Sequence, residues 1–142
     1  MLITTRGRYA VRIMLDIALN RASAVRISEI SARQGITPKY AEQITGLLVK
    51  AGLLRSARGA NGGYFLVKEP SEYKISEILF RTEGDLAPAE CVSEGGSCAR
   101  TDCCAIRTMW DGLYRTMRDY LDGITLADLA CRAVPCGDDY SI

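Results

Sequence analysis

The chain has 142 residues, 48% hydrophobic and 25% charged, with a net charge of +1; this suits one small domain with its own core and excludes a disordered, collagen-like or disulfide-stapled chain. No apolar run approaches the roughly 20 residues of a membrane helix, and the start lacks a secretory leader, so a cytoplasmic protein is expected, whose six cysteines read as metal ligands or redox sensors. Histidine is absent, which removes Ser-His-Asp and Cys-His catalysis and the commonest zinc ligand.

The near-neutral total hides an asymmetry. Residues 1–68 hold 11 Lys/Arg against 3 Asp/Glu, a net of +8; residues 69–142 hold 7 against 14, a net of −7. A basic first half points to a polyanionic partner, although solvated surface charge is the simpler alternative.

The spacing of Tyr9, Ala10, Ile13, Leu15, Ile17, Ala18 and Leu19 predicts an amphipathic helix over 8–20. Next, Ser28 is placed to cap a short helix with Ile27, Ile30 and Ala32 facing inward, and Gly35 supplies the positive φ that ends it. Thr37 caps a second helix with Pro38 at its first position, running to about Lys50 with Tyr40, Ile44, Leu47 and Leu48 as its apolar face.

Two short helices about a glycine turn predict a helix-turn-helix. Its second helix would present Thr37, Pro38, Lys39, Tyr40, Glu42 and Gln43 to phosphates and base edges, with Ser28 at the start of the first helix. Gly52 ends that helix. Leu53–Ser56 and Tyr64–Val67 then read as strands around Ala57-Arg58-Gly59-Ala60-Asn61-Gly62-Gly63, a hairpin tip with one basic residue. A hairpin directly after a recognition helix is a wing, with Arg58, Gly59 and Asn61 as its DNA-facing residues. It is not a nucleotide loop, since no Lys-Ser/Thr pair and no helix follow. Thr4, Arg6 and Arg8, at the start of the first helix, complete the candidate DNA contacts; a solvated basic helix end is the alternative.

A short helix is predicted over 76–81, followed by a long loop holding Cys91, Cys98, Cys103 and Cys104, with Gly95-Gly96 allowing a tight wrap. Clustered thiols favour soft metals, yet the spacing of Cys91, Cys98 and Cys104 matches neither a CxxC zinc site nor a ferredoxin. An exposed iron–sulfur cluster, a zinc site, a thiol/disulfide switch and idle cysteines all remain open on spacing alone. Ile106, Trp110, Leu113, Met117, Tyr120 and Leu121 predict a helix over 105–122 whose apolar stripe pairs with its twin or packs on the first helix. Thr125 caps a last helix over 126–131. Cys131 and Cys136 fall in an acidic tail and receive no role.

Several stretches together resemble IscR-type regulators of the Rrf2 family. These are Thr5-Arg6-Gly7-Arg8-Tyr9-Ala10-Val11, Met14 to Leu19, Ile30 to Ile36, Glu42-Gln43, Gly62-Gly63-Tyr64 and Ile124-Thr125-Leu126 after the tryptophan helix, spanning about residues 1–130. The resemblance implies a mainly α fold with a small β-hairpin, a winged helix-turn-helix joined to a long dimerisation helix. It implies a transcription regulator, not an enzyme, that binds double-stranded DNA at palindromic promoter sites as a homodimer. By the same resemblance Cys91, Cys98 and Cys104 would hold an iron–sulfur cluster, 2Fe–2S favoured and 4Fe–4S the alternative. Two departures concern the fourth ligand. Arg107 stands where IscR carries a histidine ligand, and Arg8 stands where the nitric oxide sensors carry a carboxylate. Cys103, Asp102, Glu90 or an external thiol are the substitutes. The expected organisation is a DNA-binding domain over 1–82, a cysteine loop over 83–104, a dimerisation helix and short helix over 105–130, and a tail over 131–142.

Overall fold

The computed structural model describes residues 3–133. Cys136 and most of the expected tail lie outside them. The chain runs α1 (Thr5–Leu19), α2 (Ile27–Gln34), α3 (Pro38–Lys50), β1 (Leu54–Ala57), β2 (Gly63–Leu66), a 3₁₀ turn (Pro70–Glu72), α4 (Ile75–Glu83), a second 3₁₀ turn (Glu90–Val92), α5 (Ala105–Asp122) and α6 (Leu126–Arg132).

α1 is the central helix because its i, i+3, i+4, i+7 positions, Ala10, Ile13, Met14 and Ile17, are all fully buried. It packs on α2, α3, α4 and α6. Ile30, Ile44, Leu48, Leu53, Ile78 and Leu126 complete the core around it, each buried aliphatic side chain contributing roughly 1.5–3 kcal/mol. One charge sits inside this core. Asp16 of α1 accepts two parallel hydrogen bonds from the Arg33 guanidinium, at 2.8 and 2.9 Å, and a third from Gln34 Nε2 at 3.1 Å. These contacts lock α2 onto α1, and the bond to Asp16 raises the Arg33 pKa further above its already high value.

α2 turns into α3 at Gly35, whose φ of 65° is the left-handed conformation expected of it. Thr37 Oγ1 accepts from the Tyr40 N–H at 3.2 Å and Pro38 occupies the first turn, so α3 starts where its cap places it. β1 and β2 pair antiparallel with Leu54 opposite Leu66 and Ala57 opposite Gly63. Val25 adds a third, one-residue strand: it exchanges N–H···O bonds of 3.0 and 2.8 Å with Tyr64.

Tyr73 fastens the base of this hairpin. Its ring is fully buried, its hydroxyl donates to the Leu53 carbonyl at 2.8 Å, and the same oxygen accepts from the Val67 N–H at 2.9 Å. One side chain therefore bonds the residue before β1 and the residue after β2. Burial pushes its phenol pKa up, so it stays a neutral donor.

Four local expectations are corrected. Ser28 does not cap α2; the cap is Arg26, whose N–H donates to Glu29 Oε2 at 2.8 Å, and Ser28 lies inside the first turn. Ala32 is exposed, because two residues along a helix from buried Ile30 is nearly the opposite face. The loop after α4 is not structureless: Leu86 and Val92 are buried and a 3₁₀ turn forms around Cys91. Cys131, which was expected both at the end of the last helix and in the tail, lies within α6. Among the described residues no helix is long and apolar enough to cross a membrane.

Candidate nucleic-acid interface and cysteine loop

α3 is the helix expected to read DNA. Lys39, Glu42 and Gln43 are exposed on α3 and form no salt bridge or side-chain hydrogen bond among the described residues. Tyr40 differs, being half-buried: its ring meets Tyr9 edge-to-face at 5.7 Å, and Arg12 covers the other tyrosine at 4.7 Å. Thr37 and Pro38 start the helix, with the Thr37 hydroxyl oxygen already accepting the Tyr40 N–H. Ser28 is exposed near the start of α2.

In the wing, Arg58, Gly59 and Asn61 are exposed, and Arg58 has no partner among the described residues. The tip closes through Gly62 N–H donating to the Gly59 carbonyl at 3.0 Å. A Cβ on Gly62 would lie 2.4 Å from the Ala57 carbonyl oxygen, so the tight tip requires glycine there. Sequence reasoning missed Arg26, whose guanidinium donates to the Ala60 carbonyl and fastens the wing tip to the start of α2. No local signal marks it, since its partner lies 34 residues away.

The N-terminus of α1 differs from expectation. Two N–H groups at this end, those of Thr4 and Gly7, are taken by Glu83, the last residue of α4. One carboxylate oxygen accepts from the Thr4 N–H at 2.9 Å, the Thr4 hydroxyl at 2.6 Å and the Gly7 N–H at 2.8 Å, while Arg6 approaches the other at 3.6 Å. The Glu83 side chain is 5% exposed. Gly7 is required for this fit, because a Cβ there would stand 2.3 Å from the Glu83 oxygen. Burial opposes ionisation of Glu83, but the bonds from Thr4 and Gly7 and the charge of Arg6 outweigh it and hold the carboxyl below the ordinary glutamate range. An internal carboxylate thus occupies the place suggested for a phosphate. Of the three residues expected there, Thr4 is spent on Glu83, Arg6 is half-exposed beside it, and Arg8 is exposed with one bond to the Thr5 hydroxyl at 3.0 Å.

Gly84, at φ 85° and ψ −152°, opens the cysteine loop in a conformation reserved for glycine. Asp85 then pins the loop: its carboxylate accepts from the Tyr114 hydroxyl of α5 at 2.6 Å, the Ala87 N–H at 2.9 Å and the Glu94 N–H at 3.1 Å. Burial again opposes ionisation, and these three bonds together with the nearby Arg118 charge overcome it, so its carboxyl is held low. The Gly95-Gly96 wrap is present, and a Cβ on Gly96 would overlap the Glu90 carbonyl oxygen.

Cys91 is half-buried in the 3₁₀ turn, Cys98 and Cys103 are exposed, and Cys104 is half-buried as the N-cap residue of α5; all are free thiols. Their soft donor chemistry suits an iron–sulfur cluster. Among the described residues, however, no three Cys, Asp or Glu side chains come together as a ligand group, so the loop in this conformation holds no preformed site. Of the fourth-ligand candidates, Asp102 and Glu90 are exposed. Arg107 lies in the first turn of α5 with a buried Nε that has no hydrogen-bond partner.

The stripe of α5 proves to be two faces. Tyr114 is buried, and Met117 and Leu121 pack against the core. Ile106, Met109, Leu113 and Tyr120 face outward at 61%, 55%, 41% and 67% exposure. The expected set had mixed these faces, with Ile106, Leu113 and Tyr120 from one and Met117 and Leu121 from the other. Met109 was missed.

Comparison with known proteins agrees with this architecture. A family model described as Rrf2, iron-dependent transcriptional regulator, matches residues 3–132. The HTH-type transcriptional regulator IscR of Escherichia coli is 39% identical over 130 residues, covering 91% of this chain and 80% of its own. Among solved structures, CymR, the global cysteine regulator of B. subtilis, superposes with a TM-score of 0.82 at 30% identity, covering 94% of this chain and 99% of its own. IscR of T. potens superposes with a TM-score of 0.77 at 33% identity, covering 94% and 89%. The winged helix, the six-helix order and these matches agree, and the chain belongs to the Rrf2 family of DNA-binding transcriptional regulators.

Proposed function

We propose that this regulator acts as a homodimer on palindromic promoter DNA and senses iron–sulfur cluster status, redox state or nitric oxide through Cys91, Cys98 and Cys104. The observation that carries the sensor reading is the placement of the cysteines. They lie on one glycine-wrapped loop pinned to α5 by the Asp85–Tyr114 bond, and the last of them stands at the N-cap position of that helix. A change in the loop is thereby delivered to α5. The outward row of Ile106, Met109, Leu113 and Tyr120 supports the dimer, since so much apolar surface on one helix marks an interface. A two-fold protein matches a two-fold DNA site.

The three thiols would hold the cluster, 2Fe–2S favoured, after the loop draws them together. Its chemistry would be that of a labile, oxidisable cofactor. The protein's part is to bind, to order the loop and to bias the spacing of the two DNA-reading units.

The test is purification without oxygen, followed by a visible spectrum and iron and sulfide counts. A brown, iron- and sulfide-containing protein that bleaches in air or nitric oxide supports the reading. Iron-free protein from cells able to assemble clusters refutes it. The second assay is DNA binding by the triple Cys91/Cys98/Cys104→Ala protein; unchanged affinity and sequence preference would sink the switch. A thiol/disulfide switch is the second reading, favoured by the exposed free thiols of Cys98 and Cys103 and by the likeness to a cysteine regulator. Alkylation mapping in air and under argon separates the two.

A further inference from the structure

We propose that Arg26 is a positioning residue that sets the wing, and with it Arg58, against DNA. The inference rests on the wing being a DNA contact.

The base of the wing is held by the core and by Tyr73, but its tip has little to hold it. Its two strands share a four-pair ladder, and residues 58–62 project beyond the last pair, Ala57 opposite Gly63. Beyond the packing of Leu54, Tyr64 and Leu66 on the core, two hydrogen-bonded contacts among the described residues join the hairpin to the start of α2, and both come from consecutive residues. Val25 makes the backbone bridge to Tyr64, close enough that a Cβ on Gly63 would lie 2.6 Å from the Val25 carbonyl oxygen. Arg26 then reaches the tip itself, its Nη2 donating to the Ala60 carbonyl.

The other end of Arg26 is equally fixed. Its backbone N–H is held by Glu29 Oε2 at 2.8 Å, and its carbonyl accepts from the N–H groups of Glu29 and Ile30 at 3.1 and 3.0 Å. Arg26 is therefore a strut from the first turn of α2 to the tip of the wing. The charged donor strengthens the bond to a neutral carbonyl. A planar guanidinium held at one end also loses less freedom than a lysine would. With the strut in place Arg58 starts near its binding position; without it, DNA binding must order the tip first.

A positioning role and a direct phosphate contact predict different things. A phosphate contact contributes about one unit to the dependence of log affinity on log salt, and it acts independently of Arg58. A strut leaves that slope unchanged and loses its effect once Arg58 is gone.

The experiment is a double-mutant cycle on the full chain, with R26A, R58A and the double variant. The probe is a duplex that the wild type selects from a random-sequence library, titrated over a range of salt. Expected are a slope lower by about 1 for R58A and a roughly three- to tenfold affinity loss for R26A at unchanged slope. Adding R26A to R58A should then cost less than about twofold, and R26K should recover part of the loss. Without DNA, the Gly62 amide should exchange faster in R26A than in wild type. Arg26 is exposed, so these variants keep the core.

Additive losses with a slope decrease in R26A overturn the positioning role and make Arg26 a phosphate contact. An R26A protein with wild-type affinity and wild-type exchange at Gly62 overturns it as well. An R58A protein indistinguishable from wild type removes the wing from the interface, and the inference falls with that reading.

Discussion

Replacing Tyr73 by Phe removes one oxygen atom and tests how the wing is seated. The ring stays: it is fully buried, and Lys68 still lies 4.7 Å above it. What goes is the bond to the Leu53 carbonyl at 2.8 Å and those from the Val67 and Lys68 N–H groups at 2.9 and 3.3 Å. A buried polar group left unpaired costs about 1–3 kcal/mol. The Leu53 carbonyl and two N–H groups lose this partner, and the hydroxyl no longer has to be desolvated, so a net loss of about 2–3 kcal/mol is expected. In urea that lowers the midpoint by roughly 1–2 M at an unchanged m-value. Tyr9→Phe is the control, because the Tyr9 hydroxyl makes no hydrogen bond among the described residues, and it should lie within about 0.5 kcal/mol of wild type. Equilibrium urea unfolding followed by circular dichroism reads both. A Tyr73→Phe protein as stable as the Tyr9→Phe control would refute the idea that this hydroxyl bolts the hairpin to the core.

Three further outcomes are expected. Lys39→Ala and Arg58→Ala should each weaken binding to all DNA sequences and flatten the salt dependence by about 1 unit, measured by fluorescence anisotropy; an unchanged slope moves the binding surface elsewhere. Because the folded-state pKa of Glu83 is depressed, its ionisation contributes stability that is present above the ordinary glutamate value of about 4.3 and lost as pH falls through the lower folded value. Wild type should therefore lose its stability advantage over Glu83→Gln on acidification below about pH 4, and a pH-independent difference between the two unfolding curves would contradict this. Leu113→Asp, on the outward face of α5, should shift sedimentation from dimer to monomer while leaving the helical circular dichroism intact; an unshifted dimer would place the interface on another surface.

Where the determinants are local, the sequence told the structure in advance. Gly35 followed by Thr37-Pro38 encodes a left-handed stop and a capped start within four residues, and the turn between α2 and α3 forms there because backbone and cap chemistry require it. The span of α5 and the Thr125 cap of α6 were legible for the same reason, the latter completed by Asp128 reaching back to the Thr125 N–H at 2.9 Å. The strands were legible to within one residue.

What only the tertiary structure decided lies between distant residues. Glu83 closes the start of α1 from 79 positions away from Thr4, so a helix end that looks open to phosphate is filled by the chain itself. Arg26 reads as an ordinary basic residue until the hairpin returns its tip across 34 positions. Periodicity marks α5 as broadly apolar, but only packing assigns Met117 and Leu121 to this chain's core and leaves Ile106, Met109, Leu113 and Tyr120 outside. The cysteines were visible from the first reading, whereas only the folded loop shows that, among the described residues, they do not meet as a ligand group. Caps, turns and helical spans follow from neighbours a few residues apart. Which carboxylate fills which helix end, and which apolar face stays exposed, depends on contacts that exist only after the chain has closed on itself.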